Sequence, residues 1–121
     1  MKKQKHKTIK LGYFPIWLEV FVGGTLQEVP AKVKKLKIDI PGGLEEWANE
    51  TSCCRGRTFM HYDTRTAIMW LYKKDVPVIA HEAVHIAFFV NEKLGGIFNP
   101  ESQESCCYLV EHIVREIMEM K

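Results

Sequence analysis

At 121 residues, with 46% hydrophobic and 26% charged, the chain has the composition of one globular domain with a modest core, and shows no sign of a second domain. The net charge of +2 is small, and its lysines cluster at Lys2, Lys3, Lys5, Lys7 and Lys10 and again at Lys32, Lys34, Lys35 and Lys37. No nucleic-acid recognition motif accompanies them, so they read as solvated side chains with no specific nucleic-acid partner.

Residues 1–10 are expected to be a flexible basic tail, and residues 11–121 a single domain. The apolar run Leu11 to Leu18 is interrupted by Glu19, carries no small-residue cleavage site and is too short to span a bilayer. A cytoplasmic protein with no membrane partner is the expectation. Cys53-Cys54 and Cys106-Cys107 are adjacent pairs, unlike a zinc knuckle or a redox motif, both of which need intervening residues; reduced thiols are expected.

Large β-branched and aromatic residues predict a strand over Ile16–Val22, stopped by Gly23-Gly24. Val33, Leu36, Ile38 and Ile40 predict another, ending at Pro41-Gly42-Gly43. A short helical turn with Trp47 inward follows at Leu44–Glu50, then a loop over Thr51–Cys54. Gly56–Tyr62 and Ala67–Leu71 read as a hairpin turning near Asp63-Thr64-Arg65.

Asp75 is a good helix N-cap and Pro77 suits the first turn, where its missing amide donor costs little. The helix running towards Gly95-Gly96 is apolar almost all round and is expected to be largely buried. Within it stands His81-Glu82-Ala83-Val84-His85. A spacing of four puts both imidazoles on one helix face, where two nitrogens can grip one zinc ion with the glutamate beside an open coordination position. Three polar side chains in so apolar a helix need partners, and an ion with its bound water satisfies all three. A zinc-dependent hydrolase, acting on peptides or proteins, is the function this points to.

A last helix starts near Asn99-Pro100-Glu101, with Leu109, Ile113 and Ile117 recurring every four residues. Catalytic zinc usually takes three protein ligands. Glu104 is the preferred third, because Gly95-Gly96 lets the chain reverse and bring this helix back across His81 and His85. Glu111, about 10 Å further along the axis, is the runner-up, Glu101 suits a capping role, and Cys106 and Cys107 are minor alternatives. Tyr108, one turn after Glu104, is the first choice of oxyanion donor; His112 and His61 are weaker. The fold class is α+β, a small mixed or antiparallel sheet packed against two main helices on one face.

His81-Glu82-Ala83-Val84-His85, followed after eighteen residues by Glu104 in Glu104-Ser105-Cys106-Cys107-Tyr108, resembles the gluzincin branch of HExxH metallopeptidases, and in particular the small, minimal-core proteins of that type found among phage and prophage genes. The resemblance covers residues 56–121 and implies a zincin-like core in which His81, His85 and Glu104 hold Zn2+ while Glu82 activates water. Larger gluzincins carry an asparagine before the third-ligand glutamate and an aspartate four residues after it; here those places hold Gln103 and Tyr108. The other reading of the same residues is a non-catalytic, zinc-stabilised interaction module that binds a phage or host protein.

Overall fold

The structure, a computed structural model, describes residues 3–12, 16–40, 42–49, 54–61, 64–93, 95 and 99–121. It is an α+β protein built on one four-stranded mixed sheet. The strands are β1 (Lys5–Lys10), β2 (Trp17–Val22), β3 (Gly56–Met60) and β4 (Thr66–Leu71), in the spatial order β1-β2-β4-β3. β1 pairs antiparallel with β2, β2 parallel with β4, and β4 antiparallel with β3. The predicted hairpin is therefore present, with Gly56 opposite Leu71 and Met60 opposite Ala67.

Helices cover both faces. On one lie α3 (Val76–Lys93) and α4 (Pro100–Met118), whose Ile79, Ala83, Ile86, Ile113 and Ile117 meet Leu18, Val20, Met69 and Leu71. On the other lie α1 (Val29–Lys35), entered through a single 3-10 turn at Leu26–Glu28, and α2 (Leu44–Ala48). Here Val29, Val33, Leu44 and Trp47 pack on Phe21, Ile68 and Trp70. Trp47 is turned inward as expected, and its indole N–H donates to the Thr58 carbonyl at 2.7 Å.

Three expectations change. The segment read as a flexible basic tail contains β1, whose Ile9 is buried and whose lysines suit an edge strand, where charge discourages further pairing. The strand expected from Val33 to Ile40 is absent; Val29 and Val33, one helical turn apart with Pro30 in the first turn as a start signal, make α1 instead. And α3 is not buried all round, because Val76, Val84 and Phe88 are exposed. Asp63, Tyr62, Cys53 and Gly96 lie outside the described residues, while Cys106 and Cys107 are free thiols. Among the described residues no helix is long and apolar enough to cross a membrane.

β1 and β2 are also joined through a buried carboxylate. Glu19, only 7% exposed, is met by the His6 imidazole at 2.7 Å and accepts from the Thr8 hydroxyl, so its charge does not lie bare in the sheet. The far end of α4 is gripped by lysines. Lys7 donates to the Glu116 carbonyl at 3.2 Å, Lys74 to those of Met118 and Met120, and Lys5 to that of Lys121. Cations placed against the last carbonyls of a helix satisfy acceptors that have no partner within it and complement its dipole.

Candidate functional site

The start of α3 is fixed to the start of β3 by a polar clamp. The Arg55 guanidinium donates to the Tyr72 hydroxyl at 2.9 Å and to the Asp75 carboxylate, and the Tyr72 hydroxyl donates to Asp75 at 3.2 Å. The Arg55 and Lys73 cations both lie over the Tyr72 ring, 5.2 and 5.3 Å from its centroid. Asp75 thus spends its side chain on the clamp, and its carbonyl accepts from Ile79 N–H as α3 begins.

From there α3 runs against β3 at close range, because position 56 has no side chain. A Cβ at Gly56 would come within 2.7 Å of Val78 Cγ1, 3.1 Å of Glu82 Cγ and 3.2 Å of Leu71 Cδ2. This close approach carries the Glu82 side chain down against the sheet, 6% exposed, where it accepts a hydrogen bond from Thr58. Burial pushes the Glu82 carboxyl above its ordinary value; the neighbouring His81 and His85, the Thr58 bond and Arg57 pull the other way and do not cancel it.

His81 and His85 stand one turn apart on the solvent side of α3, with ring centroids 5.1 Å apart and ring planes at 75°. His81 Nε2 lies 3.8 Å from Glu82 Oε2. The motif therefore divides into two exposed imidazoles and one buried carboxylate. Exposure makes the imidazoles accessible to an ion from solution.

Glu104 is on the first half of α4 and exposed, as are Glu101 and Glu111. Cys106, two residues on and so about 200° around the helix, faces α3, with its thiol 3.8 Å from the Ala87 carbonyl. Glu104 thus lies on the outer side of α4, where its carboxylate takes the hydrogen bond of the exposed Tyr108 hydroxyl and holds that phenol above its ordinary range. Burial and then the adjacent Cys107 push the Cys106 thiol up, which keeps it protonated and a poor metal ligand.

Of the two weaker oxyanion candidates, His112 lines a cavity between α4 and the β1–β2 turn, and His61 sits beside Phe59 at the end of β3. The His61 Nδ1 is buried with no hydrogen-bond partner among the described residues.

The donor chemistry fits zinc at two positions. His81 and His85 supply two neutral-capable imidazoles on one face, yet among the described residues no three His, Cys, Asp or Glu side chains are gathered tightly enough to hold one ion. Position 56 is the functional residue that the sequence reading passed over: a glycine inside a strand signals close backbone approach, and here it seats Glu82. No protein-family model, curated protein or solved structure matches the chain.

Proposed function

We propose that the protein is a zinc-dependent hydrolase that cleaves peptide bonds, with Glu82 as general base and His81, His85 and Glu104 as the metal ligands. The observation that carries this reading is the division within the motif: a carboxylate seated against β3 lies beside two imidazoles that reach solvent on the next sector of the same helix. A carboxylate so held takes a proton from an attacking water on the histidine side and returns it to the leaving amine. Bound zinc would supply the rest, lowering the pKa of its water towards about 7 and polarising the scissile carbonyl.

The chain's own residues supply orientation. Thr58 fixes the Glu82 carboxylate, and the clamp at Arg55, Tyr72 and Asp75 fixes the helix that carries it. β3 is an edge strand of the sheet, so an extended peptide can lie along it by backbone pairing and bring its carbonyls to the histidine side. Tyr108 is the proposed oxyanion donor once its hydroxyl is released from Glu104.

The test is elemental analysis and peptide hydrolysis on the wild type and Glu82→Gln. One zinc per chain in both, with turnover at least about 100-fold lower in the variant, is the expected result. A wild type that binds no zinc, or a variant that hydrolyses peptides as fast as the wild type, refutes it.

A second reading has its own observation. Val84 and Phe88 are exposed apolar residues on the same helix as the histidines, as in a zinc-stabilised module that docks on a phage or host protein. Zinc binding that raises stability without hydrolysis of any peptide would favour that module.

A further inference from the structure

The outer edge of β3 is in use at its centre. In an antiparallel pair, successive residues of one strand bond alternately towards the partner and away from it. Tyr72 N–H donates to the Arg55 carbonyl at 3.0 Å, so Arg55, and in register with it Arg57 and Phe59, bond inwards to β4. Gly56, Thr58 and Met60 therefore turn their amides and carbonyls outwards, to the side where a fifth strand would bond.

Of these three, Thr58 is already engaged. Trp47, on α2, donates its indole N–H to the Thr58 carbonyl at 2.7 Å. Its ring is not a loose cover. Trp47 is 7% exposed, packs with Phe21, Ile68 and Trp70, and meets Phe59 edge-on with centroids 5.8 Å apart. Taking so large a ring out of a core is among the costlier losses a small domain can suffer. An added strand runs about 4.8 Å from its neighbour, and a ring whose nitrogen bonds to the Thr58 oxygen stands in that lane. Covering an edge with a neighbouring element is one way in which sheets refuse further strands.

Gly56 lies to one side of this obstruction, and its outward amide and carbonyl have no partner among the described residues. It is also the residue against which Glu82 is seated, while Thr58 donates to the Glu82 carboxylate. The open half of the edge thus ends beside the buried carboxylate.

Resting on the reading that a peptide pairs with β3, we propose that Trp47 confines this pairing to the Gly56 half of the edge, so that the protein takes the end of a peptide chain and not its interior. The peptide enters past Arg55, bonds to Gly56 and stops against the indole, with its terminal residues beside Glu82. An interior segment would have to continue through the space that the ring fills. Trp47 is on this account a specificity-determining residue, and the substrate class is the chain end of an extended peptide.

The experiment follows backbone amide and indole N–H resonances of the full, metal-free chain by NMR. The probe is a nonapeptide of alternating threonine and serine with free ends, long enough to span β3, added to several millimolar. In the wild type a saturable shift is expected at the Gly56 amide, with Met60 and the Trp47 indole unmoved. In Trp47→Leu, with its fold checked by circular dichroism, the shifts are expected to run on through Thr58 to Met60. Shifts across Gly56, Thr58 and Met60 in the wild type, or at Met60 alone, overturn the confinement and leave peptide pairing standing. So does a Trp47→Leu protein that folds and still shifts at Gly56 only. If the wild type shows no shift while Trp47→Leu pairs, Trp47 closes the whole edge and the half-site is wrong. If neither protein shifts at any of the three, pairing along β3 itself fails and takes the proposal with it. The wild-type result decides alone should Trp47→Leu not fold.

Discussion

Gly56→Ala tests the seating of Glu82. The added Cβ would stand 2.7 Å from Val78 Cγ1, too close for any real contact, and the atom in the way belongs to a β-branched residue on a helix, which has essentially one rotamer open to it. Leu71 on the far side is fully buried and cannot yield, and Glu82 yields only by leaving Thr58. Overpacking of this kind costs about 1–3 kcal/mol. Against it, alanine restricts the unfolded chain and recovers about 0.4–1 kcal/mol, leaving a net loss of about 1–2 kcal/mol. With an m-value near ~2 kcal/mol/M, the urea midpoint should fall by roughly 0.5–1 M with m unchanged. The same substitution made in a Val78→Ala background, where the obstructing methyl is gone, should cost clearly less, with the tight contacts to Glu82 and Leu71 left as the remaining loss. A Gly56→Ala protein as stable as the wild type, or one that loses the same amount in both backgrounds, would refute the close-approach argument.

Two further expectations concern charge. Because burial holds the Glu82 carboxyl above its ordinary value, the native state binds more protons than the unfolded chain between the ordinary and the raised values. The wild type should therefore lose stability as pH rises through that window, with the full cost present above it. Glu82→Gln has no such titration, so its stability relative to the wild type should climb from about pH 4 upwards and level off. Urea midpoints across that range in metal-free buffer check this, and a flat difference counts against it. Lys74→Gln removes a cation from the end of α4, where it meets the Met118 carbonyl at 3.4 Å, and should lower stability by about 0.3–1 kcal/mol at low ionic strength and by less in concentrated salt. Thermal denaturation at two salt concentrations would show it, and an equal loss in both would mean that Lys74 acts through packing.

The parts legible in the sequence are those where a local period decides the outcome. The hairpin of β3 and β4 and the two long helices follow from alternation and from recurrences such as Leu109, Ile113 and Ile117, and the His81–His85 pair shares a face because the helix repeat requires it. The second helical layer was also signalled, though it went unread. β2 and β4 are apolar on nearly every residue, from Leu18 to Val22 and from Ala67 to Leu71, which marks strands covered on both sides. Lysines hid both β1 and α1, since charge alone does not separate a tail from an edge strand or a strand from a helix with one wet side. How far α4 is rolled about its axis depends on packing against α3 and the sheet. Spacing could nominate Glu104 and could not say that it turns towards Tyr108.

The sheet has two unlike margins. β1 presents Lys5, Lys7 and Lys10 along its length, whereas β3 carries a single cation, Arg57, among Gly56, Thr58, Phe59 and Met60. A sheet with both margins open can add copies without limit and grow into a fibre; one with a guarded margin cannot. Pairing of two molecules of this protein through β3 would leave only lysine-bearing margins outward, so strand-to-strand association ends at a two-fold dimer.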